Sequence, residues 1–279
     1  MFTKEELSKK ITEAISEVKK TNPMAPSITN TVTINFVANA QLAVGGSAAM
    51  VYMPDEGVAL AQGSKSLYIN VGTIFPIYTE TLPATAKACH ECGNKWVLDP
   101  VAVGLGQIRT DLLKTFKEYK PQIIRANASE TIGLAKMWGL DAGENKDAVV
   151  RGVDSTDEVQ AALTAAKSLA KYTGGAVAVS GKVDLVTDGE NVVYCNGGSN
   201  FMPMVTGMGC SLGGVCAVYA SVTDPFTAAL TATLVYNQAG TNAEKLSKGP
   251  GSFQKEFIDE LYTTTMSFNI RDDALSCRA

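Results

Sequence analysis

Near the start of the chain, apolar residues recur at Leu7, Ile11, Ile15 and Val18. This three- and four-residue spacing puts them on one face of an amphipathic helix. Thr3 and Glu6 precede that stripe as a capping box, and Asn22-Pro23 ends it. From Thr21 to Pro54 no residue is charged. The window predicts a helix over Thr31–Val44, a stop at Gly45-Gly46 and a short strand over Ala48–Tyr52. Its Asn and Thr content is too high for a membrane span. It reads as a buried helix with the first core strand, or as a segment that also lines a site or a subunit interface.

Beyond Asp55, strand and helix patterns alternate. Strands are predicted at Tyr68–Gly72, Trp96–Val101, Ile123–Arg125 and Ala176–Val179, and helices at Thr79–Cys92, Arg109–Tyr119, Ser129–Trp138 and Asp157–Tyr172. Asp184–Thr187 and Val192–Cys195 flank Asp188-Gly189, a hairpin signal. From Gly209 onward the pattern is mainly helical. Such alternation predicts an α/β fold with a mostly parallel sheet covered on both faces. Ligands bind such sheets at the carboxyl ends of the strands, which directs attention to the loops after Val71, Leu98, Ile124 and Val179. No linker, repeat or low-complexity segment divides residues 1–279, so one domain is expected.

Composition narrows the function. The 279 residues hold 24 Lys+Arg and 28 Asp+Glu, a formal net charge of −4, with 46% hydrophobic and 19% charged residues. That is the profile of a globular chain. Mild acidity without a basic block argues against nucleic acid as a partner. The N-terminal Lys4, Glu5, Glu6, Lys9 and Lys10 do not form a secretory signal, and no apolar run reaches the ~18 residues of a membrane helix. Six cysteines in a chain of this length suit a reducing cytosol better than a disulfide scaffold. His90 is the one histidine, so a site built on several His ligands is excluded.

Four segments could carry chemistry. In Val205–Gly214, Gly207 and Gly209 let the backbone turn tightly where a helix is expected to begin, at Gly209. Its free amides and positive end suit an anion such as a phosphate in transfer, and the same field is expected to lower the thiol pKa of Cys210. The alternative is a packing turn with an inert buried cysteine. In Arg125–Glu130, Arg125 suits phosphates, and Asn127 and Glu130 could offer oxygens to hydrated Mg²⁺; alternatively, Glu130 serves the first helical turn. Asp99, before Pro100, is a carboxylate at a strand end or a capping Asp. Ser180-Gly181, after the strand at Ala176–Val179, could seat a nucleotide phosphate or ribose, or is an ordinary small turn, the reading that its spacing favours. Two lookalikes carry less. Cys89-His90-Glu91-Cys92 has no second cysteine pair at zinc spacing, and Gly63-Ser64-Lys65-Ser66 follows a helix and precedes a strand, the reverse of a phosphate loop.

Taken together, these segments resemble the hydroxyethylthiazole kinases of the ribokinase-like superfamily. The resemblance runs in order through Ile28-Thr29-Asn30, Asn35–Asn39, Ser47–Met50, Asn70–Thr73, Leu98–Val101, Arg125–Glu130, Val205–Cys210 and Lys248–Phe253. Thr206-Gly207-Met208-Gly209-Cys210 is its sharpest part, because most ribokinase-like relatives carry Asp at the Cys210 position. The resemblance implies a three-layer α/β/α fold and ATP- and Mg²⁺-dependent phosphorylation of 4-methyl-5-(2-hydroxyethyl)thiazole on its hydroxyl, for thiamine biosynthesis or salvage. It further implies that Asn30, Met50 and Gly207 contact the thiazole and that Arg125 and Ser180 contact ATP. Asp99 and Glu130 would serve the metal–phosphate region, through water or phosphate. Cys210, with Gly207 and Gly209, would stand at the reacting hydroxyl. A cytoplasmic homotrimer with sites at subunit interfaces is implied as well. The chain departs from the family pattern at Pro26, Ala126 and Lys182. A ribokinase-like dehydratase of hydrated nicotinamide nucleotides is the alternative enzyme, disfavoured by Cys210. A non-catalytic thiazole- or nucleotide-binding protein is the other alternative.

Overall fold

The computed structural model describes residues 2–143, 159–271 and 273–278. Helix α1 (Lys4–Thr21) starts at the expected capping box: Thr3 Oγ1 accepts from the Glu6 amide and Glu6 Oε2 from the Thr3 amide. It ends at left-handed Asn22 and buries Leu7, Ile11, Ile15 and Val18. Then follow β1 (Met24–Ile28), α2 (Ile34–Ala43), β2 (Ser47–Met50), α3 (Pro54–Gly63), β3 (Ser66–Asn70), α4 (Tyr78–Cys92), β4 (Lys95–Asp99), α5 (Gln107–Tyr119), β5 (Ile123–Asn127) and α6 (Ala128–Met137). After the segment outside the described residues come α7 (Leu163–Thr173), β6 (Ala176–Ser180), β7 (Asp184–Thr187), β8 (Val192–Cys195), α8 (Met208–Ala220), α9 (Pro225–Leu246), α10 (Pro250–Met266) and β9 (Leu275–Arg278).

Among the described residues the strands form one sheet in the order β2-β1-β3-β4-β5-β6-β7-β8-β9. Pairing is parallel from β2 to β6 and antiparallel from β6 to β9. Successive side chains of a strand leave on opposite faces, and the core divides accordingly. Tyr68, Val97, Ile123 and Ala178 pack toward α1, α2, α8, α9 and α10. Leu67, Ile69, Leu98, Ile124 and Val177 pack toward α3–α7. This is the expected three-layer arrangement, with helices on both faces of the sheet.

Three elements differ from the sequence expectation. Strand β1 falls in the uncharged window where only a helix and one strand were expected. Pro26 does not break it, because the β1–β3 ladder begins one residue later, at Ser27. Strand β9 closes the antiparallel edge where helix was expected; its four residues are strand only because β8 pairs with them. The third is the helix expected over Asp157–Tyr172: within the described residues its regular part is Leu163–Thr173, and its expected start lies outside them. Because six strands run parallel, Asn30, Met50, Asn70, Asp99, Asn127 and Ser180 all come to one end of the sheet.

Candidate functional site

Asp99 closes β4 with its side chain fully buried. Its Oδ2 accepts from Tyr68 Oη at 3.0 Å and from Asn70 Nδ2 at 3.0 Å, and Asn70 Nδ2 also donates to Tyr68 Oη at 2.9 Å. Arg125 Nη1 lies 3.5 Å from the same oxygen. The other oxygen, Oδ1, is buried without a partner. Burial pushes the Asp99 carboxyl up to about 6, against the pull of Arg125 and with a further push from Glu130. Tyr68 and Asn70 had no assigned role in the sequence reading. The signal for them was their i, i+2 spacing at the end of an apolar strand, which aims both at one face.

Arg125 projects from β5 with its side chain 11% exposed. Its Nη2 donates to Ser180 Oγ at 2.9 Å, joining the two residues expected at the nucleotide. Burial opposes the guanidinium charge, but Asp99 and Glu130 outweigh it and hold the group charged. The guanidinium rests against the first turn of α8. A Cβ built on Gly209 would stand 2.6 Å from Nη2 and 2.7 Å from Cζ, a space only glycine leaves open.

Asn127 and Glu130 cap α6 reciprocally. Asn127 Oδ1 accepts from the Glu130 amide at 2.9 Å and from Ser129 Oγ at 3.0 Å, while Glu130 Oε2 accepts from the Asn127 amide at 3.0 Å. Glu130 Oε1 accepts from the Ala102 amide at 3.2 Å, tying the loop after β4 to this helix start. The Asn127 oxygen expected to face a cation is therefore engaged in the cap. Each Glu130 oxygen accepts one amide and keeps a lone pair for a further donor. No group of three or more His, Cys, Asp or Glu side chains among the described residues is arranged to hold a metal.

Helix α8 begins at Met208, one residue ahead of expectation, because Gly207 adopts φ +94° and serves as the N-cap. A side chain there would also meet Thr33 Cγ2 at 2.9 Å. Thr33 in turn donates to the Asn30 carbonyl from its amide at 2.9 Å and its hydroxyl at 3.1 Å. Asn30 Oδ1 accepts from the Val32 amide at 3.0 Å and from Thr73 Oγ1 at 2.9 Å. Asn30 and Gly207 thus bracket Thr33, while Met50 ends the half-buried edge strand β2. Arg109, unassigned by sequence, staples the neighbouring loops by donating to the Val71 and Gly72 carbonyls at 3.0 Å each and to Leu105 at 2.8 Å.

Cys210 corrects one expectation. The helix end was expected to lower its thiol pKa. Burial instead pushes it up to about 11, helped by Asp99 and opposed by Arg125 and by hydrogen bonds with Thr33 and Asn70. The desolvation of a buried sulfur outweighs the amide field at α8. The two lookalikes lie elsewhere. Cys89–Cys92 ends α4, and burial pushes Cys89 up to about 12. Gly63–Ser66 joins α3 to the amino end of β3, away from the site.

This constellation coincides with a family match. Residues 15–267 fit the model of the hydroxyethylthiazole kinase family. The chain belongs to that family. A hydroxyethylthiazole kinase of Bifidobacterium longum subsp. infantis is 50% identical, the match covering 91% of this chain and 87% of that one. The solved structure of the hydroxyethylthiazole kinase protein from Pyrococcus horikoshii superposes with a TM-score of 0.84 at 26% identity, covering 97% of this chain and all of that one. A ribokinase-like superfamily protein of Enterococcus faecalis shares the fold, with a TM-score of 0.64 at 11% identity. As a member of the hydroxyethylthiazole kinase family the chain is an enzyme, a phosphotransferase acting on the thiazole alcohol. Among the described residues no helix is long and apolar enough to cross a membrane.

Proposed function

We propose that the chain, acting as one kinase domain, transfers the γ-phosphoryl of ATP to the hydroxyl of 4-methyl-5-(2-hydroxyethyl)thiazole at the carboxyl ends of β1–β6. The convergence of Asp99, Arg125 and the α8 start on one point carries this reading. Phosphoryl transfer proceeds through a loose transition state, so positioning and charge neutralisation dominate. Arg125 and Ser180 bind ATP. The first-turn amides of α8, from Gly207 to Cys210, face the charge that develops on the moving group. Asn30, Met50 and Gly207 hold the thiazole.

The buried, unpartnered Asp99 Oδ1 suits a hard cation, and Glu130 can reach one through water. Mg²⁺ bound there would supply neutralisation of phosphate charge. Cys210 keeps its own proton at neutral pH, because burial holds its pKa at about 11. A thiol that keeps its proton is no base, so Cys210 stands beside the attacking hydroxyl and orients it, while the alcohol's proton leaves late, once its oxygen is bonding to phosphorus, to an oxygen of the transferred phosphoryl group.

A cytoplasmic homotrimer with sites at the subunit interfaces fits the apolar residues just beyond the site strands: Val32 is 71% exposed, Met53 48% and Phe75 42%. The test is ADP release with the thiazole alcohol, with and without Mg²⁺. Release that depends on both supports the reading, and release indifferent to the alcohol overturns it.

A further inference from the structure

The turn between β6 and β7 is held by a contact to which the roles above assign nothing. Asp184, the first residue of β7, directs its carboxylate back onto that turn. Oδ1 accepts from the Gly181 amide at 2.9 Å, and Oδ2 accepts from Asn237 Nδ2 at 2.8 Å. Asn237 is buried in α9, and its main-chain carbonyl accepts from the Gly198 amide at 2.9 Å, which anchors this point of the helix to the loop after β8. The antiparallel ladder between β6 and β7 ends at Val179–Leu185, so the turn beyond it has no ladder bond to shape it. Gly181 and Lys182 in that turn are exposed. Ser180 adjoins Gly181 and accepts from Arg125 Nη2 at 2.9 Å. A continuous series of contacts therefore runs from a buried helix through Asp184 to the turn and on to the guanidinium.

We propose that Asp184, backed by Asn237, is a positioning residue for the nucleotide: it fixes the Ser180-Gly181 turn and, through Ser180, the Arg125 guanidinium. This rests on the placement of ATP at Arg125 and Ser180. A hydroxyl, an amide and a guanidinium held in place before binding lose less freedom when they meet phosphates.

Four variants of the full chain test it: Asn237→Asp, Asp184→Ala, the exchange Asp184→Asn with Asn237→Asp, and Ser180→Ala as a reference for the nucleotide subsite. The readouts are kcat, KM for ATP, KM for the thiazole alcohol, ADP affinity by calorimetry and the thermal midpoint. Asn237→Asp sets two carboxyls face to face and is expected to raise KM for ATP and Kd for ADP about five- to tenfold, with KM for the thiazole unchanged. The exchange reverses donor and acceptor while keeping an acceptor for Gly181, and is expected to return both constants to within about twofold. A purely structural role would lower the thermal midpoint without separating the two KM values. If Asp184→Ala does not fold, the single Asn237 variant and the exchange read the same contact. The inference is overturned if Ser180→Ala weakens ADP binding while neither Asn237→Asp nor Asp184→Ala does, or if the exchange fails to restore it. If Ser180→Ala leaves ADP affinity and KM for ATP unchanged, the placement of the nucleotide fails and the inference falls with it.

Discussion

Arg125 occupies the space that a side chain on Gly209 would need: a Cβ at Gly209 would stand 2.6 Å from Arg125 Nη2. A strand residue and a helix start, far apart in sequence, thereby present a guanidinium and free amides to one volume. Gly209→Ala must displace the guanidinium from Asp99 and Ser180. We expect a cost of about 1–3 kcal/mol in stability from overpacking. We also expect a rise of about tenfold or more in KM for ATP, equivalent to one lost charged hydrogen bond. Thermal unfolding and steady-state kinetics on the one variant check both; an unchanged KM for ATP would detach Arg125 from the nucleotide.

Cys210 gives a pH prediction. Its thiol keeps its proton to about 11 where the ordinary value is 9.0, with burial the main cause. The folded state therefore binds this proton more tightly than the unfolded state. The resulting stabilisation is fully present below pH 9 and is lost as pH rises through about 11. Alkylation of Cys210 by iodoacetamide, followed by peptide mapping, should stay slow through pH 8 and accelerate only well above that, lagging behind the solvent-exposed Cys92. Rapid modification of Cys210 at pH 7 would refute this.

Substitution of the same residue tests its part in turnover. Cys210→Ala is expected to slow kcat with little change in thiazole affinity, and Cys210→Asp to remain active, because a carboxylate at that position can orient the hydroxyl and take its proton. Wild-type turnover in Cys210→Ala removes the thiol from the mechanism.

Glu130 ties two loops together, so its removal should be felt in stability as well as in turnover. Glu130→Ala leaves the Asn127 and Ala102 amides without their acceptor. A loss of about 1–2 kcal/mol is expected for the cap, a shift of about 2–8 °C in thermal midpoint for a chain of this size. The Mg²⁺ concentration for half-maximal activity should rise as well. An unchanged Mg²⁺ dependence would restrict Glu130 to capping.

The exposed Val32, Met53 and Phe75 make the assembly testable. Sedimentation should give three times the 29.4 kDa chain mass. Val32→Glu should yield a smaller species with weakened thiazole binding, since Val32 lies two residues from Asn30. A monomeric wild-type chain with full activity would exclude interface sites.

Much of this was legible in the sequence, for identifiable reasons. Helix α1 carries a cap and an apolar stripe that act within one element, and the β7–β8 hairpin is set by Asp188-Gly189 between two short, mostly apolar runs. Both rest on contacts only a few residues apart. Strand β1 was not legible, because Pro26 and an uncharged Asn- and Thr-rich run resemble a loop until β2 and β3 pair with it. Around the candidate site, sequence motifs single out Arg125, Ser180, Asp99 and Cys210 but not Tyr68, Arg109 or Asp184, since each of these three bonds a partner more than thirty positions away.

By itself the sequence determined the alternation of strands and helices and the residue types able to handle a phosphoryl group. Local periodicity and short motifs encode both. Only the tertiary structure decided that Asp99 keeps one oxygen free, that Arg125 lies against Gly209 and that the Cys210 thiol is made less acidic rather than more. These outcomes depend on how much water packing removes from each group and which charges it leaves nearby, and desolvation and Coulomb forces act through space rather than along the chain.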